Sequence, residues 1–279
     1  MKKSLLSCNV GVNIESDEFF LEKILSNNFI RKYIPSPKIG NPLILSPLIK
    51  VTFSSYFNLI EDYPLYHYQG CNELDVLYLA QYLLERMRQE ANMYTIHSSC
   101  AERKGKAIIL FGWKDTGKTS VAINLAKNYA FNFVSEGVTV IDDNKQVIGR
   151  VHYLEEDNDF FKKKYHFSAD CIDVNKICKC TQELCKVELF VYPQISIDNN
   201  IIEWTGTDKA KFHLFELFSM DIRGVFKNLN NYTFPLRSID TPFLARKRAR
   251  FTRNLAEKTR ILQIRGGMKF ICETISDLL

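Results

Sequence analysis

Gly112-Trp113-Lys114-Asp115-Thr116-Gly117-Lys118-Thr119-Ser120 fills every fixed position of the pattern G-x-x-x-x-G-K-[ST]. Each fixed residue has a physical task. The two glycines let the backbone curl so that successive N–H groups point inward at anionic oxygens. Lys118 adds a positive charge that reaches outer phosphates, and the Thr119 hydroxyl is suited to ligating Mg²⁺. A helix starting here turns its N-terminal N–H groups and positive dipole end to the same point. Gly112 to Ser120 are therefore expected to hold the phosphates of a nucleotide, ATP with Mg²⁺. Trp113 is bulky for such a loop; it either caps the loop and touches a base or packs beside it.

The flanks agree with this reading. Ala107-Ile108-Ile109-Leu110-Phe111 is a continuous apolar run of the kind a buried central strand shows. Ser120 to Ala126 leads out as a helix reaching about Asn128, followed by strands near Asn132 to Val134 and Val138 to Ile141. Upstream, a helix is predicted over Glu73 to Glu90 with Asn72 as its N-cap, then a strand over Met93 to Ala101 and a turn at Glu102 to Lys106. Downstream, a helix over Pro242 to Lys258 precedes a strand over Arg260 to Ile264, a Gly266-Gly267 turn and a last helix. Strands and helices alternating on this scale predict an α/β fold, a mixed β-sheet with flanking helices that carries the phosphate loop (P-loop). Residues 1 to about 70 are rich in Pro, Asn and Ser, with short β-like runs such as Ile49-Lys50-Val51-Thr52-Phe53. The expected division is an α+β N-terminal region over 1–90, recognising a partner or substrate or packing on its neighbour, and a nucleotide-binding catalytic domain over 91–279.

The chain has 279 residues, 46% hydrophobic and 25% charged, enough for a sizeable core. The net charge of +5 leans toward anionic ligands but is too small and dispersed to argue for nucleic acid. No apolar stretch approaches the length of a membrane span. Met1 to Leu6 is too short an apolar start for a signal peptide, since Asn9, Asn13, Glu15 and Asp17 follow at once. A cytoplasmic location with reduced thiols is expected for the eight cysteines. A homo-oligomer is compatible with this composition.

Taken together, Ile96-His97-Ser98-Ser99-Cys100-Ala101, the loop with its strand, and Phe133-Val134-Ser135-Glu136-Gly137-Val138-Thr139-Val140 resemble the C-terminal domain of the HPr kinase/phosphorylase family. That family is built on the phosphoenolpyruvate carboxykinase-like fold and includes kinases of small molecules and peptide serines. The likeness covers about residues 90–150 well and 238–279 loosely. It implies an ATP-dependent kinase acting on a serine-like hydroxyl of a protein, a peptide or a small molecule. The family's His position falls on His97, near the phosphates. Its acidic pair, which takes the acceptor's proton and helps hold Mg²⁺, falls on Glu136 and Gly137. Glu136 can do both tasks at one methylene greater length, with Thr119 as the other metal ligand. Gly137 departs from the pattern and removes a carboxylate.

Other polar groups carry weaker signals. Asp142-Asp143-Asn144-Lys145 reads as a hairpin turn. Arg246, Lys247, Arg248, Arg250 and Arg253 are the one dense basic run; the first four could present charge to the nucleotide or an acidic partner, but a solvated helix face is expected for most of them, since only one side can point inward. Cys171, Cys178, Cys180 and Cys185 have the numbers for a zinc site, but the spacing C-x6-C-x-C-x4-C lacks paired C-x2-C knuckles, so reduced thiols are favoured. Cys178 and Cys180, if placed on a strand, would share a face. Two further readings of the loop stand beside the kinase. One is a nucleotide-binding regulator with little or no transfer. The other is an NTP hydrolase, for which Val187 to Tyr192 is the nearest apolar run but lacks a terminal Asp.

Overall fold

The computed structural model describes residues 1–154, 172–197, 199–224, 229 and 236–279. These residues form mixed sheets flanked by helices, divided into two compact units. Unit 1 is Met1–Thr95 with Phe218–Arg248; unit 2 is Ile96–Leu217 with Ala249–Leu279. The division thus differs from a single boundary at residue 90, because residues 218–248 belong with the N-terminal stretch.

Unit 1 begins with a hairpin, β1 (Lys2–Ser7) and β2 (Val10–Glu15). Its two turn residues, Cys8 and Asn9, both have positive φ (52° and 67°), which matches the right-handed twist of the strands they join. Helices α1 (Glu18–Ser26) and α2 (Phe29–Tyr33) follow, α1 capped by Asp17, whose side chain accepts from Phe20 N at 2.8 Å. Strands β3 (Pro37–Gly40), β4 (Leu48–Phe53), β5 (Asn58–Asp62) and β6 (Leu65–Gly70) complete a sheet in the order β3-β1-β2-β4-β6-β5. The expected helix is present as α3 (Glu73–Glu90), with Asn72 Oδ1 accepting from Leu74 N at 3.0 Å. Val76, Leu77, Leu79, Ala80, Tyr82, Leu83 and Leu84 are all fully buried, so α3 is a core helix.

The last turns of α3 carry a buried polar network that offsets the desolvation of its charges. Arg88 contacts Glu85 Oε2 at 3.3 Å and donates to Ser7 Oγ at 2.8 Å and Thr95 Oγ1 at 3.2 Å. Gln89 donates to Glu85 Oε1 and accepts from Arg248 at 2.6 Å, and Arg248 also pairs with Asp240 at 2.6 Å. Arg248 is 0% exposed and is the member of the basic run on the inward side of its helix. Lys247 donates to the terminal carbonyls of α3 at Gln89 and Glu90, where a cation complements the helix dipole. Arg246, Arg250 and Arg253 are exposed, as expected.

Unit 2 is organised by β8 (Lys106–Phe111), whose residues beyond Lys106 are all buried. It lies between β7 (Met93–Arg103), antiparallel, and β14 (Lys186–Ile195), parallel. Strands β9 (Asn132–Ser135), β10 (Val138–Asp142) and β11 (Val147–Gly149) extend the β7 side, and β12 (Tyr153–Leu154) pairs separately with β13 (Ile172–Asp173). On the other side stand β16 (Arg260–Gly266), parallel to β14, and the edge strand β15 (Ile201–Trp204). Helix α4 (Lys118–Asn128) and helix α7 (Met268–Asp277) cover one face. There Ile108, Leu110, Val121, Leu125, Leu189, Val191, Leu262, Ile264, Ile271 and Ile275 form the core. Helices α5 (Thr207–Ser219) and α6 (Pro242–Lys258) complete the described elements. Among the described residues, no helix is long and apolar enough to cross a membrane.

The cysteine-bearing stretch is not extended, and Cys178, Cys180 and Cys185 are free thiols. Cys178 and Cys180 follow a 3-10 turn at Val174–Lys176 and lie on no named strand, though Cys180 forms an isolated bridge with Phe133. The single carbonyl of Val174 accepts from both Ile177 N and Cys178 N, which curls the chain where a strand would extend it. Cys171 lies outside the described residues.

Candidate functional site

The turn from β8 into α4 is made by three residues with positive φ: Gly112 (133°), Asp115 (65°) and Gly117 (97°). Such alternation turns consecutive N–H groups to one side, and Asp is one of the few residues with a side chain that tolerates it. Both glycines are also needed for space. A Cβ on Gly112 would lie 2.8 Å from the Tyr192 ring, and one on Gly117 would lie 2.4 Å from Ile195 Cδ1. Residues 112–117 thus rest on the end of β14, the parallel neighbour of β8. Gly117 serves as N-cap of α4 without any side-chain bond, so no side chain occupies the helix's first N–H groups.

Lys118, 8% exposed, opens that helix and folds back under the loop. Its Nζ donates to the carbonyls of Gly112 (3.1 Å) and Trp113 (2.7 Å). Thr116 Oγ1 also donates to Trp113 O, at 3.1 Å. The Trp113 ring itself is 72% exposed, with Lys114 and Asp115 beside it in solvent.

Glu136 follows directly on β9 and arrives beside the first turn of α4. Thr119 Oγ1 donates to Glu136 Oε1 at 2.7 Å, and Ser99 Oγ, from β7, donates to Glu136 Oε2 at 2.8 Å. The backbone is pinned as well: Glu136 N donates to Val151 O, and Val138 N to Glu136 O at 2.7 Å. That last bond closes a three-residue turn around Gly137, whose φ is 68°. A three-residue turn with positive φ at its centre is strained for any side-chain-bearing residue. Gly137 stands where a second acid was expected because the chain reverses there.

His97 is exposed and lies one residue beyond the Ser98–Phe111 pair, at the loop's end of the sheet. Strand alternation puts it on the face of Ser99. Asp142 serves its turn: its Oδ1 accepts from Asn144 N at 2.9 Å and Gln146 N at 2.8 Å.

The local chemistry is that of hard oxygen donors. A threonine hydroxyl can donate its hydrogen to a carboxylate and still offer a lone pair to a cation. Thr119 and Glu136 therefore suit Mg²⁺, which takes few protein oxygens and completes its shell with phosphates and water. Among the described residues no group of three or more His, Cys, Asp or Glu is arranged to hold a metal. Of the two cysteine thiols near β9, Cys178 is the more acidic, because Cys180 hydrogen-bonds to it; the same bond pushes the Cys180 thiol up.

Ser99, Tyr192 and Ile195 did not emerge from the sequence as site residues. Ser99 had one signal, its position two residues past His97 on the same strand face. Tyr192 and Ile195 had none, because only the β8–β14 register brings them to the loop. Compared with known proteins, the chain matches no family model and no curated protein.

Proposed function

We propose that this chain binds ATP with Mg²⁺ in the Gly112–Ser120 loop and transfers the terminal phosphoryl group to a hydroxyl of a protein, peptide or small molecule. In this reading the loop is a P-loop on an HPr-kinase-like sheet. The observation that carries it is the 2.7 Å contact between Thr119 Oγ1 and Glu136 Oε1. It brings the hydroxyl of the phosphate-binding pattern and a carboxylate from a separate strand to one point beside the loop.

The residues divide the work as follows. Backbone N–H groups of the loop and of the first turn of α4 orient the phosphates. Lys118 exchanges its loop carbonyls for phosphate oxygens and stabilises charge on the transferring group. Glu136 takes the acceptor's proton as the new oxygen–phosphorus bond forms and the bond to the leaving diphosphate breaks. Bound through Thr119 and Glu136, Mg²⁺ would supply further neutralisation of the phosphate charge. His97 stands at the same end of the sheet, available to orient the acceptor or the phosphates.

A second reading is supported by Gly137: with one carboxylate instead of two, the chain binds nucleotide as a regulator and transfers little. Titration with Mg-ATP and measurement of ADP released in the presence of hydroxyl acceptors separate the two. Lys118→Ala should abolish nucleotide binding. Glu136→Gln should keep it and stop transfer; a Glu136→Gln protein that transfers at the parent rate would remove Glu136 from the role of base.

A further inference from the structure

Arg265 lies near the end of β16, in register with Gln194 of β14. The next residue of β14, Ile195, is the one whose side chain lies against Gly117. Arg265 thus stands one strand row from the loop's floor, at the C-terminal edge of the parallel strands β8, β14 and β16. In open α/β sheets that edge is where ligands bind.

Leu262 and Ile264 point into the core beneath α4 and α7, so Gln263 and Arg265 occupy the opposite face. Gln263 is satisfied there by Gln194 Oε1 at 3.5 Å. Arg265 is not satisfied. Its Nε is buried with no hydrogen-bond partner, and no ion pair or hydrogen bond engages its guanidinium among the described residues. Glu203, opposite Gln263 on β15, does not pair with it. Covering part of a guanidinium without a counter-charge is costly, and the cost is recovered when an anion arrives.

We propose that Arg265 is a second phosphate-binding cation of this site and takes the terminal phosphate of the bound nucleotide. The inference rests on the nucleotide reading above and adds a partner that the G-x-x-x-x-G-K-[ST] pattern does not contain. The chemistry suits the position. Lys118 offers a point charge, whereas a guanidinium presents a planar fork that meets two phosphate oxygens at once. A terminal phosphate held from both sides is fixed in direction as well as in charge.

The test is calorimetric titration of the full chain with Mg-ATP and with Mg-ADP at fixed ionic strength, using the parent, R265M, R265K and K118A. The parent should prefer ATP. R265M should bind ATP about ten- to a hundredfold more weakly and ADP within about twofold of the parent, as expected for losing a hydrogen bond to a charged group. R265K, which keeps the charge but not the fork, should fall between. Circular dichroism checks folding; if R265M does not fold, a selective loss for ATP in R265K supports the assignment and parental ATP affinity in R265K overturns it. Parental ATP affinity in folded R265M, or equal weakening of ATP and ADP, overturns it as well. Failure of the parent to bind either nucleotide sinks the nucleotide reading itself, a result distinct from an unchanged R265M in a parent that binds.

Discussion

Replacing Gly117 by alanine adds one methyl group at a position with φ 97° and ψ 9°, with Ile195 Cδ1 at 2.4 Å and Cγ1 at 2.7 Å from the new carbon. Two costs arise and can be separated. Positive φ costs an L-residue roughly 1–2 kcal/mol. Over-packing typically adds about 1–3 kcal/mol. Ile195 is 44% exposed, so it can swing part-way into solvent, and the lower half of that range applies. Gly117→Ala should therefore destabilise unit 2 by about 2–4 kcal/mol in urea denaturation followed by far-UV circular dichroism. Ile195→Ala removes the obstacle but not the backbone strain. In that background Gly117→Ala should cost only about 1–2 kcal/mol, leaving a coupling of about 1–2 kcal/mol in the double-mutant cycle. A loss below about 0.5 kcal/mol for the single variant would mean the loop does not take this path. Zero coupling would mean that Ile195 is not its floor.

Two more predictions concern neighbours of the loop. Ser99→Ala removes a hydrogen bond to the Glu136 carboxylate, worth about 1.5–3 kcal/mol, so phosphoryl transfer should drop roughly tenfold or more while Mg-ATP affinity holds, and Ser99→Thr should restore it; equal rates in Ser99→Ala and parent would show that Glu136 needs no such support. His152 gives the pH dependence. Burial, its largest influence, lowers its pKa below 6.5, with its Nε2 2.9 Å from Val134 O and its Nδ1 3.1 Å from Gln182. The unfolded chain then binds the proton more readily than the folded one, so stability is full above about pH 6.5 and falls as pH drops toward the folded-state value. Urea midpoints measured from pH 8 to pH 5 should decline for the parent and decline less for His152→Gln; identical slopes would exclude His152 as the cause.

The parts of this molecule that were legible in the sequence are those decided locally. The apolar run of β8 and the glycines of the loop can form little else, the cap and period of α3 fix it to the expected residues, and α6 also spans the residues expected for it. Glu136 was legible only through resemblance; nothing in the stretch Phe133 to Val138 shows that its carboxylate meets Thr119. The division into units was not legible, because it depends on the stretch Phe218–Arg248 grouping with a unit whose other part ends more than a hundred positions earlier. Which member of the basic run points inward was not legible; the burial of Arg248 follows from Asp240 and Gln89, partners from two separate stretches. The local path of Cys178 and Cys180 was open for a related reason: alternate spacing is compatible with a strand, but the backbone bonds to Val174 curl the chain first.

The interleaving of the two units has a consequence for synthesis. Neither is a continuous stretch of chain. Arg248, which ties Gln89 to Asp240, is made long after the helix it secures. Likewise β16, which β14 and β15 both need as a neighbour, is translated after both. As the chain leaves the ribosome, a half-formed sheet must keep β14's open flank from pairing wrongly until residue 266 emerges. For the same reason, expressing 1–90 and 91–279 as separate pieces would strand residues 218–248 on the wrong fragment, and a faithful dissection requires rejoining chain across the gaps.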